Sequence, residues 1–338
     1  MRYLLLPISG IYYVIIFIRN LLFDRQFIRS KKISKSIGIG NLSMGGTGKS
    51  PLSIYLSEFL IQNNTTPALL SRGYGRESTG FIEVQENSSS QSVGDEPLMF
   101  KQRFENRAHV FVCADRVFGS EKIRRDHPEC AIIYDDVFQH RKITPTLSIL
   151  TTPFDDLFIE DKILPVGRLR EPIKNAKRTD IIMVTKSPEE LSQAKLLEIQ
   201  NGMGRFGKPI FFSSISYEKM VPFDKKINTI KNVLLVTGIA NPEHLLNHLK
   251  NNFLVHSISF RDHHVFTASD INKIHEKFDT FDLEESIILT TEKDKVRLSK
   301  FKTLICEGNY PWYYQPMNIR IREESDFQSL IKKHVRGI

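Results

Sequence analysis

The chain has 338 residues, of which 41% are hydrophobic and 25% are charged. This length exceeds one average domain, and this composition excludes a disordered, collagen-like or disulfide-stapled protein. The cysteines Cys113, Cys130 and Cys306 lie far apart with no C-x-x-C pair, which argues against a disulfide framework or a zinc site. The formal net charge of +8 favours an anionic partner, such as a phosphorylated substrate, an acidic membrane surface or a nucleic acid, and a solvated basic surface is the alternative.

The first element is a nearly unbroken apolar run from residue 3 to residue 18, preceded by Arg2 and followed by Arg19 and Arg25. The run is shorter than the roughly 20 residues that a spanning helix needs. An interfacial helix with basic flanks fits it best, and a signal peptide or a buried helix are the alternatives. The sequence therefore predicts a membrane-associating helix over residues 1–24.

Residues 25–215 alternate between short apolar runs and amphipathic stretches. Alternating strands and helices predict a parallel sheet covered on both faces, which is an α/β fold. We expect a helix over residues 49–62 and strands over 36–40, 67–70, 109–113, 131–134, 147–150 and 181–184.

A second αβ pattern predicts a smaller α/β domain over residues 216–321. Its expected strands are 233–237, 255–260, 287–289 and 304–306, with helices over 242–249 and 268–278. Two β-rich stretches, 210–216 and 313–321, lie where the chain crosses between domains, so we expect them to pair as a two-stranded hinge. The C-terminal segment 322–338 is expected to form a helix that packs back on the first domain.

A glycine-rich loop lies between the first predicted strand and helix. The Walker A pattern G-x-x-x-x-G-K-[ST] supplies backbone N–H groups for phosphates, a lysine for the β- and γ-phosphates and a hydroxyl for Mg²⁺. The end of the pattern is intact, whereas a serine replaces the first glycine. The loop therefore predicts a binding site for ATP with Mg²⁺, rather than a simple turn, and its residues are Ser43, Met44, Gly45, Gly46, Thr47, Gly48, Lys49 and Ser50.

Acidic residues follow other predicted strands. Asp135 and Asp136 end the run Ala-Ile-Ile-Tyr in a Walker B arrangement, so a Mg²⁺ role is favoured over a plain turn. Asp95 lies in the loop-like stretch Gly94-Asp95-Glu96-Pro97 and is a candidate base for a substrate hydroxyl.

The charged stretches 261–264, which contains His263, and 292–295 are also candidates for the site. Taken singly, each of these stretches and 94–97 is more often a solvated turn. The arginine-rich stretch 167–172, which contains Glu171, could supply phosphate contacts and a metal carboxylate.

Taken in order, these motifs resemble the tetraacyldisaccharide 4′-kinase family of lipid A biosynthesis, over nearly the whole chain. The segments that carry the resemblance are 40–51, 71–75, 94–97, 135–140, 167–172, 262–266 and 291–294.

The resemblance implies transfer of the γ-phosphate of ATP to the 4′-hydroxyl of a tetraacylated glucosamine disaccharide 1-phosphate. It also implies a fold in which a P-loop domain is joined to a smaller α/β domain by a two-stranded linker. The resemblance further implies that the enzyme acts at the cytoplasmic face of the bacterial inner membrane. By motif, Asp95 matches the catalytic base, His263 its partner, and Asp135, Asp136 and Glu171 the acidic residues around Mg²⁺. Val137 departs from the family, which usually has glycine there.

The main alternative is a membrane-associated P-loop ATPase switch of the partition type, which would not need Asp95 or His263. A G-protein is disfavoured because an Asn-Lys-x-Asp motif is missing from the sequence. We expect a lipid disaccharide and an anionic inner-membrane surface as partners, with no nucleic acid and no protein partner.

Overall fold

The computed structural model describes residues 2–281 and 284–335. Met1 and residues 336–338, which the sequence assigned to the N-terminal and C-terminal helical segments, lie outside the described residues. The chain forms two compact units, one of Met1–Ser216 with Asn318–Ile338 and one of Tyr217–Met317.

The strands alternate with helices through most of the chain. The strands are β1 Lys31–Asn41, β2 Pro67–Ser71, β3 Ile82–Glu83, β4 His109–Val112, β5 Ala131–Tyr134, β6 Ile143–Pro153, β7 Ile181–Thr185, β8 Ile210–Tyr217, β9 Val221–Pro222, β10 Asn232–Thr237, β11 Leu254–Ser259, β12 Ser286–Thr291, β13 Trp312–Gln315 and β14 Met317–Ile321. The α-helices are α1 Leu6–Asp24, α2 Lys49–Gln62, α3 Ser90–Val93, α4 Asp95–Phe104, α5 Arg116–Asp126, α6 Gln193–Gly204, α7 Glu243–Lys250, α8 Ala268–Phe278, α9 Glu292–Leu298, α10 Lys302–Glu307 and α11 Glu324–His334.

The first unit is built on a nine-stranded sheet of order β14-β8-β7-β6-β1-β5-β2-β4-β3. Strand β1 runs parallel to β5 and β6, and β7 runs parallel to β6. Strands β2, β5 and β7 are buried along their whole length, as expected for a sheet with both faces covered. The loops that follow β1, β5 and β7 therefore leave the sheet at one edge, the carboxyl ends of the strands.

The second unit has a five-stranded sheet of order β11-β10-β12-β13-β9, in which only β9 pairs antiparallel among the described strands. The predicted strand at 304–306 is wrong, because this segment is helix α10, with Ile305 buried in the core of the unit. A three-residue apolar run fits helix and strand equally well. The place in the sheet beside β12 belongs instead to β13, which contains the buried Trp312.

The chain passes between the units after β8 and before β14. These two strands are hydrogen-bonded neighbours, as predicted for the stretches 210–216 and 313–321, and they lie at the edge of the nine-stranded sheet. The stretch 313–321 is divided, since β13 lies in the other sheet.

Helix α11 packs on the first unit. Its Phe327 is fully buried, with ring centroids 6.0 Å from Tyr55 and 5.2 Å from Phe211. The Tyr55 hydroxyl donates a 2.7 Å hydrogen bond to Glu324. These contacts attach the C-terminal helix to α2, the helix that follows the glycine-rich loop.

Candidate functional site

The glycine-rich loop joins β1 to α2 at the carboxyl edge of the large sheet. Gly48 precedes the first residue of α2 with a φ of 80°, and a Cβ there would lie 2.9 Å from the Thr185 Cβ. The left-handed backbone and the close approach of β7 both require glycine. The amino terminus of α2 therefore faces the loop with its backbone N–H groups, as phosphate binding needs.

The serine at the first position of the pattern lies in an extended segment. Ser43 forms an antiparallel bridge with Leu169, and the Met44 N–H donates a 2.8 Å hydrogen bond to the Arg168 carbonyl. The Arg170 N–H likewise donates to the Leu42 carbonyl at 2.7 Å. Because an extended backbone suits any side chain, serine is accommodated where the general pattern has glycine.

The other side of the loop is held by Thr185, the last residue of β7, and by Lys186, which follows it. The Thr185 hydroxyl donates a 3.0 Å hydrogen bond to the Thr47 carbonyl, and the Lys186 ammonium donates a 2.8 Å bond to the Gly46 carbonyl. Sequence reasoning missed this pair. The available signal was a Thr-Lys dipeptide directly after a buried strand of the same parallel sheet.

Lys49 lies beside the carboxylate of Asp136. Its Nζ is 3.9 Å from Asp136 Oδ1, and the Arg170 guanidinium donates to both oxygens of this carboxylate at 2.9 and 3.2 Å. Burial opposes the ionisation of Asp136, but Lys49 and Arg170 outweigh it and hold the pKa of this carboxyl below its usual value. The structure thus brings together Lys49, Asp136 and an arginine from the predicted 167–172 stretch.

Asp135 is buried, with the Ser53 hydroxyl 3.5 Å from its Oδ1. Burial, with a further contribution from the Glu96 carboxylate, raises the pKa of Asp135 to about 7, although Lys49 acts in the opposite sense. The carboxylate therefore carries an energetic cost that a nearby cation would relieve.

The stretch Gly94-Asp95-Glu96-Pro97 is the start of a helix and not the loop that we expected. Gly94 has a φ of 94°, and α4 begins at Asp95. The Ser50 hydroxyl donates a 2.9 Å hydrogen bond to Glu96 Oε1, which links α4 to the end of the glycine-rich loop. Sequence reasoning proposed Asp95 and overlooked Glu96, because nothing in the sequence shows that α4 meets Ser50.

These groups suit a magnesium ion. The Ser50 hydroxyl and the carboxylates of Glu96, Asp135 and Asp136 are hard oxygen donors, which Mg²⁺ prefers. The pKa of Asp135 is raised first by burial and then by the neighbouring carboxylates of Glu96 and Asp136, and a bound cation would offset both effects. The residues present therefore fit Mg²⁺ at this position.

Glu171, the other predicted metal carboxylate, is fully buried in a different set of contacts. Its Oε2 accepts hydrogen bonds from Arg178 and Asn175, each at 2.7 Å, and from Asn20 of α1 at 3.3 Å. Within the described residues, the structure records no hydrogen bond between Glu171 and either Ser50 or Asp135. Its described contacts connect the 167–172 segment to the N-terminal helix.

His263 belongs to a network within the second unit. The Arg297 guanidinium lies 3.0 Å from His263 Nδ1 and donates 2.8 and 2.7 Å hydrogen bonds to Asp294 and the Gly238 carbonyl. Asp294 is fully buried and also accepts a 2.8 Å bond from Thr291. The predicted 261–264 and 291–294 stretches are thus neighbours. Because a guanidinium only donates, neutral His263 carries its proton on Nε2.

Val137 occupies the position where we noted a departure from the family. The left-handed residue of this turn is Asp136, with a φ of 52°, and the Val137 side chain is buried. Aspartate is among the few residues that tolerate this conformation. The turn after β5 therefore forms without a glycine.

A family model for "Tetraacyldisaccharide-1-P 4'-kinase" matches residues 1–336. A tetraacyldisaccharide 4′-kinase of Phocaeicola vulgatus is 36% identical over 98% of this chain and 94% of its own length. A tetraacyldisaccharide 4′-kinase of Flavobacterium johnsoniae is 36% identical over 99% of this chain and 98% of its own length.

A crystal structure of LpxK from Aquifex aeolicus in complex with ATP has a similar fold. Its TM-score is 0.76 at 28% sequence identity, with 99% of each chain covered. Together with the glycine-rich loop and its carboxylates, these matches along almost the full length lead to one conclusion: the chain belongs to the tetraacyldisaccharide 4′-kinase family.

Proposed function

We propose that this protein uses ATP to phosphorylate the 4′-hydroxyl of a tetraacylated glucosamine disaccharide 1-phosphate. The observation that carries the proposal is the cluster at the carboxyl edge of the large sheet, where Lys49 and Ser50 of the glycine-rich loop meet the carboxylates of Asp136 and Glu96. This cluster lies on a chain whose relatives are kinases of that disaccharide.

Each residue of the cluster has a part in phosphoryl transfer. The loop N–H groups and Lys49 bind the phosphates and neutralise their charge, and Arg170 orients Asp136 beside Lys49. Ser50, Glu96, Asp135 and Asp136 are the residues that would hold Mg²⁺. When bound, the ion supplies positive charge to the phosphate oxygens. Glu171 supports the site indirectly, because its hydrogen bond with Asn20 attaches the segment that contains Arg170 to α1.

Asp95 is our candidate for the base that accepts the proton of the acceptor hydroxyl, since a carboxylate can accept that proton once the hydroxyl is positioned. Asp95 is the first residue of α4, and the next residue, Glu96, accepts the hydrogen bond from Ser50. For His263, the family resemblance suggests a role as its partner. The Arg297 contact at Nδ1 places the ring hydrogen of a neutral His263 on Nε2, and Asp262 Oδ2 lies 3.9 Å from that nitrogen.

Helix α1 is proposed as the surface that meets the membrane. Among the described residues it is the single helix whose length and apolar composition would allow it to cross a bilayer. One side is docked on the protein, since Ser9 donates to the Ile163 carbonyl at 3.1 Å and Tyr12 to the Arg170 carbonyl at 3.0 Å. The exposed large side chains include Ile8, Ile11, Val14, Ile15, Ile18 and Leu22.

A helix docked by polar contacts along one side suits the interface better than the bilayer interior. We therefore propose that the protein lies on the cytoplasmic face of the inner membrane, where anionic lipid attracts its net charge of +8. Its proposed partners are the lipid disaccharide and that membrane surface.

The dependence of ADP formation on the lipid acceptor tests this function. The purified protein in detergent with ATP and Mg²⁺ should form ADP in step with phosphorylated lipid, and Lys49→Ala should abolish both. A partition-type switch would instead hydrolyse ATP at a rate that the lipid disaccharide leaves unchanged, and that result would exclude the kinase.

A further inference from the structure

Two histidines and a cysteine meet in the first unit, outside the phosphate site. His109, His127 and Cys130 each offer one metal-ligating atom, and these atoms all lie within 4.8 Å of one another. The two imidazole rings have centroids 4.0 Å apart, and Cys130 is fully buried. Three side chains from separate positions on the chain thus present nitrogen and sulfur donors to one point.

The topology places this cluster at the opposite edge of the sheet from the glycine-rich loop. His109 is the first residue of β4, His127 follows the last residue of α5, and Cys130 directly precedes β5. Both strands are parallel to β2, between them, with His109 opposite Ala68 and Ala131 opposite Pro67. The cluster therefore lies at the amino ends of the strands, whereas Asp135 and the loop lie at the carboxyl ends.

We propose that His109, His127 and Cys130 form a binding site for a divalent transition metal ion of the zinc class. Imidazole nitrogen and thiolate sulfur are the ligands that zinc prefers. Bonds of about 2.0 Å to nitrogen and 2.3 Å to sulfur put tetrahedral ligand atoms roughly 3.3–3.8 Å apart. The atoms of the cluster reach this geometry by approaching one another by about 1 Å, which side-chain rotation of the two partly exposed histidines supplies.

Neighbouring carboxylates support the assignment. Glu83 Oε1 lies 3.0 Å from His109 Nδ1, and a carboxylate on one ring nitrogen orients the other toward a metal. Glu129 Oε1 lies 3.5 Å from Cys130 Sγ, close enough to complete the coordination shell or to hold a water that does so. The two carboxylates also offset the charge of a bound cation.

The expectation against zinc came from the spacing of cysteines alone. This site needs a single cysteine, and its histidines lie 21 and 3 residues before Cys130, at the two ends of a helical crossover. No short motif describes that arrangement, so the fold has to be known before the cluster is visible. A metal here would fasten the end of α5 to β4 and β5, and its role is structural and separate from phosphoryl transfer.

Cobalt and zinc binding test the proposal on the full-length protein after removal of metals with a chelator. We expect one Co²⁺ per chain to produce a thiolate-to-cobalt charge-transfer absorption, which Zn²⁺ then displaces. This absorption separates the site from the magnesium site, whose donors are oxygens. Saturating Zn²⁺ should raise the Tm by about 5 °C, as expected for a ligand at roughly 100 times its Kd.

His127→Gln and Cys130→Ser should each abolish the absorption and the Zn²⁺-dependent rise in Tm. Cys113→Ser is the matched control, because Cys113 is buried in the same core and lies outside the cluster. It should keep both signals. The half-exposed His127 allows its variant to fold even if the change at Cys130 does not. No charge-transfer absorption in the parent protein, or an undiminished one in His127→Gln, would overturn the proposal.

Discussion

Asp135, a proposed Mg²⁺ ligand, lowers the stability of the fold at neutral pH. Its pKa is raised to about 7, chiefly by burial and then by the charge of Glu96. The folded chain therefore holds a proton there more tightly than the unfolded chain, whose carboxyl has an ordinary pKa near 4. Stability from this group is present below pH 4 and is lost as the pH rises toward 7.

Asp135→Asn should therefore stabilise the protein without nucleotide or metal by roughly 1–2 kcal/mol at pH 8, and by little at pH 4. The amide keeps the shape and can still accept the Ser53 hydrogen bond. Thermal unfolding at several pH values measures the effect. The exposed Asp126→Asn serves as the control and should give no such gain at pH 8. A destabilised Asp135→Asn at pH 8 would show that the charged carboxylate is favourable in the fold.

Lys186 offers a second test at the scale of a residue, because its ammonium holds the Gly46 carbonyl of the glycine-rich loop. Lys186→Met removes this charge-assisted hydrogen bond, worth about 1–2 kcal/mol, so the Kd for ATP should rise roughly 5- to 30-fold. Calorimetric titration with ATP measures it, and Lys186→Arg should restore part of the affinity.

The exposed Lys195 provides the control. Lys195→Met should leave the Kd for ATP unchanged, and an equal loss in both variants would mean that general charge, not the loop contact, sets the affinity.

The sequence allowed candidates to be proposed where a local pattern marks them. Lys49 and Ser50 lie between a strand and a helix in the order that phosphate binding requires, and Asp135 and Asp136 directly follow a buried strand. Glu96 and Lys186 could not be proposed in this way, since each reaches the loop from a distant segment through the packing of α4 and β7. Tertiary neighbours of this kind leave no local pattern.

At the scale of elements, one side of α1 contacts the rest of the protein and the other side is exposed. Its docked side includes Tyr12 and Asn20, which bond to Arg170 and Glu171, while its other side exposes large apolar residues. The helix thus connects the proposed membrane surface to the segment that carries Arg170. Variants on the exposed side can therefore test membrane binding while the docked contacts stay intact.

The triple variant Ile11→Ser, Ile15→Ser and Ile18→Ser should weaken binding to anionic phospholipid vesicles about 100-fold or more. The estimate takes roughly 1 kcal/mol for each partly inserted side chain. Sedimentation with vesicles measures the bound fraction. Leu254→Ser with Val265→Ser is the control, because both residues are exposed and apolar but lie in the second unit. Unchanged binding of the triple variant would show that another surface meets the membrane.

Elements with a long, consistent pattern were predicted well. The predicted helix 49–62 coincides with α2, and the predicted helix 268–278 coincides with α8, where Thr267 forms a capping box with Asp270. The short run 304–306 failed because three apolar residues carry no period. The pairing of β8 with the large sheet also depends on contacts far apart in sequence, which a local pattern does not contain.

At the scale of the whole molecule, the two candidate residues for proton transfer lie in different units. Asp95 belongs to the first unit and His263 to the second. If the two residues act in one chemical step, the losses caused by their variants will not add. A double-mutant cycle therefore tests whether the two residues act together.

Asp95→Asn should lower kcat by 10²- to 10⁴-fold, with the Kd for ATP changed by no more than about threefold. His263→Ala should cause a smaller loss, and the double variant should be little worse than Asp95→Asn alone. Single-turnover rates measure all three variants. Fully additive losses would contradict the joint role, and an equal effect of Asp95→Asn on ATP affinity would remove it from the base position.

The position of the transferred phosphate tests the central claim most directly. After incubation with ATP, Mg²⁺ and the tetraacylated disaccharide 1-phosphate, the lipid product should carry one new phosphate, and phosphorus–proton correlation by NMR should place it on the 4′-oxygen. A phosphate on any other oxygen, or ADP formed without a phosphorylated lipid, would contradict the assignment of this protein as a 4′-kinase.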